Sequence, residues 1–278
     1  MKGFPGGARG ALAVTAFFVL CCLVRALAPQ GAPYLRLLSA HAIVAGGSVL
    51  KLSLLAASAV WSFLARDRLE PGHPARRCWG LLSLSFAGLF SGQLSLAPSQ
   101  LAYGTEAFPS PADVFYLAGT VLLVVAIARF LRVHRQAELV PDPHFHRALV
   151  SFAVVALVVA VPVLWPIALA PAPPLERAIN VAYPALDLVA LVPLAMLLRL
   201  TRRMGGTVGR VWSFLLAGCV AFATADVLFA SFSDPALHPV DPVLHASYVL
   251  SYGLWATGTR LQLDLIGARR AASSAAEA

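Results

Sequence analysis

The apolar residues of this chain come in long blocks rather than in amphipathic stripes, and nothing constrains its fold more. The stretch VSFAVVALVVAVPVLWPIALA runs from Val150 to Ala170 without a charge. In lipid the backbone must satisfy its own hydrogen bonds, so only helices and closed barrels can span, and barrels read as short alternating segments instead. The sequence therefore predicts an all-α, polytopic integral membrane bundle of about eight transmembrane helices. Composition agrees: of 278 residues 59% are hydrophobic and 12% charged, against about a quarter charged in a soluble domain. The predicted spans are approximately 11–27, 39–64, 79–97, 113–133, 148–170, 178–200, 210–231 and 243–262. The second is long enough to tilt or to extend beyond the bilayer.

Basic residues set the expected orientation. Of the 21 Lys and Arg, Lys51 falls inside a span and Arg25, Arg36 and Arg177 lie on one set of connections. The remaining 17 (21 − 1 − 3) lie on the alternate set, from Lys2 and Arg9 through Arg66, Arg68, Arg76, Arg77 and onward to Arg270. This positive-inside pattern predicts a multi-pass protein of the cell inner (plasma) membrane with both termini cytoplasmic. The net charge of +8 then follows from topology and anionic lipid, and implies no nucleic-acid partner.

MKGFPGGARG followed by ALAVTAFFVLCCLV has the layout of a signal peptide, with Ala26-Leu27-Ala28 resembling a cleavage site. Arg25 and Pro29 beside that site argue for a retained first helix. Cys21, Cys22, Cys78 and Cys219 sit in or at spans without metal-ligand spacing and read as small packing residues. The expected organisation is one transmembrane domain over 1–262, followed by a disordered cytoplasmic tail over 263–278, GARRAASSAAEA at its end.

An internal similarity is visible. RCWGLLSLSFAGLFSGQ begins at Arg77 and RVWSFLLAGCVAFATAD at Arg210. In each, a polar residue, Gln93 or Asp226, follows 14 positions after the tryptophan. Each is followed by an acidic, Pro-containing loop and a further span, which aligns Tyr116 with Tyr248 and Asp113 with His245. These halves, 77–133 and 210–262, cross in the same direction and suggest a parallel repeat.

Polar residues within the spans gather at one depth. Asp113, Tyr116 and Thr120 share a helix face, as do Asn180, Tyr183 and Asp187, and as do His245, Tyr248, Tyr252 and Trp255. Gln93 and Asp226 lie late in outward-running spans, so all of these fall in the external half. A charge at the bilayer centre costs at least about 2.5–3.5 kcal/mol. Several together predict an externally open, ligand-binding pocket lined by Asp187, Asp226, Asp113, Asn180, Tyr183, His245, Tyr248, Gln93 and Tyr116. The competing reading is a structural network, with Asp113 capping its helix and Asp226 joining two spans. Lys51, in mid-span, could be a counter-ion to Asp187 or Asp226, or could snorkel. His41 and His245 are candidate metal or haem ligands, with no cofactor assigned. No His-Glu-x-x-His, Gly-x-Ser-x-Gly or Gly-rich phosphate loop occurs, and no enzyme is expected.

PSPADVFYLAGT, YPALDLVALVPLAMLLRL, TADVLFA and SYVLSYGLWATG, in this order, resemble the multi-span membrane sensor region found in front of bacterial GGDEF and EAL diguanylate cyclases. The matching positions are Pro109 to Leu117, Tyr183 to Leu188, Ala225-Asp226 and Tyr248 to Trp255, within residues 79–262. The resemblance implies an input module for signal transduction. Residues 263–278 contain neither a GGDEF nor an EAL motif, so this chain is expected to act through a separate cytoplasmic signalling protein and not to make cyclic dinucleotides. The expected function is a membrane sensor for an unknown small ligand. The alternative is a transporter, or accessory subunit, for a small solute, cation or proton.

Overall fold

A computed structural model describes residues 6–27, 38–103, 108–136, 143–204, 206–231 and 242–277. Among the described residues the elements are eight α-helices: α1 (Gly6–Leu27), α2 (Ala40–Asp67), α3 (Pro74–Tyr103), α4 (Ala112–Gln136), α5 (Phe145–Leu169), α6 (Pro174–Met204), α7 (Gly206–Ser231) and α8 (Pro242–Glu277). The first seven are long and apolar enough to cross a membrane, as a polytopic helical bundle requires.

Local sequence explains the boundaries. Ser39 caps α2, its Oγ accepting from the Ala42 amide at 3.1 Å. Pro71-Gly72 stand between α2 and α3, and proline opens α3, α6 and α8, where its missing N–H costs nothing. Buried hydroxyls turn back on their own helices: Ser58 donates to Leu54 O, Thr257 to Gly253 O and Thr259 to Trp255 O. These polar residues can therefore face the interior without an unsatisfied donor.

Six helices close a ring. α2 packs on α3, α3 on α4, α4 on α6, α6 on α7, α7 on α8, and α8 back on α2. The other two lie outside it. α5 rests mainly on α6 and buries only Phe145 and Ile167, so almost its whole surface is left for lipid. α1 lies along α8, burying Ala8, Thr15 and Cys22, one every seven residues. Gly253 of α8 makes that approach possible, since any side chain there would collide with Thr15.

α8 is the least apolar of the eight and among the most enclosed. Ser251, Tyr252, Trp255, Ala256, Thr257 and Thr259 are all buried. It also continues past the last predicted span. Leu263 and Ile266 are buried, Arg260 and Asp264 form an ion pair at 3.0 Å, and the helix reaches Glu277. The expected disordered tail is corrected on this point. An alanine-rich segment contiguous with a packed helix prolongs it readily.

The ring is filled by aromatic side chains. Trp79 and Trp212, at aligned positions of α3 and α7, lie 6.3 Å apart between centroids, and Phe130 meets each edge-on at 5.0 Å. Nearer the other end, Trp255 packs against Phe86 at 5.3 Å and Phe222 at 5.2 Å. Such pairs add to burial through their favourable edge and offset geometry. They make an aromatic floor beneath the region where the polar residues gather.

Candidate functional site

Above that floor lies a cavity of about 60 Å³, room for about four waters at some 15 Å³ each. Every helix of the ring contributes to its wall: Lys51 from α2, Gln93 and Gln100 from α3, Asp113 and Tyr116 from α4, Asn180 and Tyr183 from α6, Asp226 from α7, and Tyr248 and Tyr252 from α8. Most lie early in α4, α6 and α8 or late in α3 and α7. The cavity therefore occupies the bundle end opposite the arginine-rich connections α2–α3, α4–α5 and α6–α7.

Asp113 is tied across the bundle. Its Oδ1 accepts from the Tyr183 hydroxyl of α6 at 2.7 Å, and its Oδ2 accepts from the Ser110 amide at 2.6 Å. It thus serves both the turn that starts α4 and the packing of α4 on α6. On the far wall, the Tyr116 hydroxyl donates to Gln93 Oε1 at 3.1 Å, and Gln93 Nε2 donates to Gln100 Oε1 at 2.8 Å. Gln100 Oε1 also accepts from Ser48 of α2 at 2.5 Å. This chain joins α4, α3 and α2 through neutral groups.

Asp226 is held differently. Its Oδ1 accepts from the Tyr248 hydroxyl of α8 at 2.7 Å, while its Oδ2 is buried and has no hydrogen-bond partner among the described residues. The carboxyl group of Asp187 lies behind it, within hydrogen-bonding reach, and Asp187 Oδ2 is likewise without a partner among the described residues. Asn180, 5% exposed, has an unpartnered Oδ1 in the same sense. Native interiors leave few such atoms; two of the three belong to the neighbouring carboxyl groups of Asp187 and Asp226.

Charges are also unequal. Asp113, Asp187 and Asp226 stand against Lys51, whose Nζ is 5.9 Å from the centroid of the Tyr248 ring. Among the described residues of the cavity and its backing, these three carboxyl groups face one ammonium, and protons or cations must offset the excess, because like charges so close in a poor dielectric cannot both persist uncompensated.

Of the residues the sequence singled out, Asp113, Asp226, Asn180, Tyr183, Tyr248, Gln93 and Tyr116 line this one cavity. Asp187 is not on the wall but backs Asp226. His245 is buried and stands beside Gly47 of α2, where a methyl group would lie 3.2 Å from its Nδ1. It too is not on the wall. His41 is exposed on α2, and among the described residues no group of three His, Cys, Asp or Glu is arranged to hold a metal.

Sequence reasoning missed Gln100, Ser110, Phe108 and Phe229. Gln100 had a usable signal: it follows Gln93 by seven residues, two helical turns on the same face. Phe229 follows Asp226 by three. Phe108, which meets Phe229 edge-on at 5.3 Å, lies before α4, where helical periodicity says nothing. Comparison with protein-family models, curated proteins and solved structures found no match for the chain.

Proposed function

We propose that this multi-span membrane protein is a sensor module, taking a small ligand into the cavity from the external side and reporting it at the arginine-rich end. The observation that carries this reading is the convergence of all six ring helices on one cavity whose wall holds Asp113, Asp226 and Lys51. A ligand bound there touches every helix of the ring. It favours whichever arrangement of their far ends it binds more tightly, and only that difference in affinity can do work. The resemblance to sensor regions ahead of diguanylate cyclases points the same way, towards a cytoplasmic signalling output.

A transporter needs a second path. Beneath the cavity stand Phe86, Phe222, Trp255, Trp212 and Phe130, all buried, and this aromatic floor favours binding over passage. The test uses the chain in lipid nanodiscs, with its native cysteines replaced and spin labels at His73→Cys and His144→Cys. Both sites are exposed at the arginine-rich end. Small amines, amino acids, sugars and carboxylates are screened by electron–electron distance measurement. A sensor gives a shifted distance distribution with at least one class, lost in Asp226→Leu. Asp226-dependent uptake into proteoliposomes, without any such shift, would assign transport instead.

A further inference from the structure

On the side of α7 turned away from Asp226, a groove of about 580 Å³ runs along the outer surface of the bundle. Its floor is made of short side chains, Ser213, Ala217, Ala221 and Thr224, which recur on one face of α7. Leu198 of α6 and Leu250 and Leu254 of α8 stand beside them. Ala217, Val220 and Thr224 are exposed, so this face meets lipid. The hydroxyl groups in it are satisfied within the protein: Ser213 Oγ donates to Gly209 O at 2.8 Å, Thr224 Oγ1 to Val220 O at 2.8 Å, and Ser247 Oγ to Val243 O at 2.9 Å. What the groove offers along its length is therefore hydrocarbon. From Ser213 to Thr224 it follows about 16 Å of helix, close to the ~15 Å that one leaflet adds to a hydrocarbon core of ~30 Å. A partner's transmembrane helix would need about twice that length. The single charge among the described lining residues is Arg202, at the arginine-rich end. It is exposed, and from Arg199 to Arg210 the sequence carries four arginines and no acidic residue.

We propose that this groove holds an anionic phospholipid of the leaflet at the arginine-rich end, its phosphate on Arg202 and one acyl tail along α7 as far as Thr224. A guanidinium presents a planar fork that pairs with two phosphate oxygens at once. A headgroup without a cation of its own keeps its negative charge among the arginines, so phosphatidylglycerol fits where phosphatidylcholine does so less well. The tail fills the trough that the short side chains leave. It does so against the helix whose inner face carries Asp226, held there by the Tyr248 hydroxyl of α8. The lipid thereby braces the α7–α8 hairpin from behind. The groove is separate from the cavity, and this site stands whatever the cavity takes.

The test is native mass spectrometry of the full chain released from detergent micelles, titrated with phosphatidylglycerol and phosphatidylcholine that share the same acyl tails. We expect one phosphatidylglycerol to be retained at collision energies that strip phosphatidylcholine. Arg202→Gln is expected to raise the half-saturating concentration about tenfold, as loss of one charge-assisted contact does. Ala217→Leu combined with Ala221→Leu fills the trough on a lipid-facing surface and is expected to remove the retained lipid. This pair also serves as the second variant should the first not fold. Equal retention of the two lipids overturns the proposal, as does unchanged phosphatidylglycerol binding in either variant. A dimer that dissociates when Ala217 and Ala221 are both replaced by leucine overturns it too, because a second copy then occupies the groove.

Discussion

The hairpins α3–α4 and α7–α8 set the same hydrogen bond to different uses. In each, a tyrosine early in the second helix donates to a polar side chain late in the first: Tyr116 to Gln93 at 3.1 Å, Tyr248 to Asp226 at 2.7 Å. Both first helices carry a buried tryptophan 14 positions earlier, and Trp79 and Trp212 meet at the centre. The difference lies in the acceptor. Gln93 uses its amide oxygen for the tyrosine and its amide nitrogen for Gln100, and its hairpin is saturated. Asp226 gives one oxygen to the tyrosine, and the carboxyl group of Asp187 lies within hydrogen-bonding reach behind it. A neutral pair that is complete holds helices together, and one that brings two carboxyl groups together also gathers charge.

The largest expected effects test the seams of the two hairpins. A methyl group at Gly218 would stand 2.5 Å from the Trp255 ring, and one at Gly88 3.0 Å from the Gly119 Cα. Gly218→Ala should cost about 2–3 kcal/mol and Gly88→Ala about 1–2, as overpacking does, read from unfolding titrations in mixed micelles. The reverse order would mean that the α3–α4 seam is the less tolerant one.

Next come the acceptors. Asp226→Leu should abolish the ligand-dependent distance shift at the arginine-rich end, read by the spin-label measurement. Gln93→Leu should act mainly on stability, by about 1–2 kcal/mol, since interhelical hydrogen bonds in membranes reach about 1.7. It should leave that distance shift in place. Loss of the shift in Gln93→Leu would erase the contrast.

The tyrosines give the smallest effects. Tyr116→Phe and Tyr248→Phe should each cost about 0.6 kcal/mol of stability, near the average for such bonds. Only Tyr248→Phe should also reduce the ligand-dependent distance shift, by releasing the Asp226 carboxyl group; the spin-label measurement separates the two variants.

Much of this was legible in the chain. Apolar blocks located every helix, because backbone satisfaction in lipid leaves little choice. The period of 3.6 put Asn180 and Tyr183 on one face and Tyr248 and Tyr252 on another, and both pairs reach the cavity. Periodicity could not say which neighbour each face meets. Asp187 shares the face of Tyr183, yet it packs behind Asp226, and His245 turns towards Gly47 of α2. The ring closure of α8 on α2 was also invisible, since nothing local encodes a contact between helices so distant in sequence. The helical continuation of α8 beyond residue 262 was hidden for a different reason. Its small polar and alanine residues read as tail composition, and only the burial of Leu263 and Ile266 marks where packing ends.

The central claim is a ligand cavity open to the external side alone, and side-specific cysteine labelling tests it most directly. Ala230→Cys, on the cavity wall and outside the acceptor corner, is placed in a chain whose four native cysteines are replaced by serine. Vesicles of known sidedness are treated with a membrane-impermeant trimethylammonium thiosulfonate. Modification is expected from the external side only. Modification from the cytoplasmic side would contradict an externally open cavity.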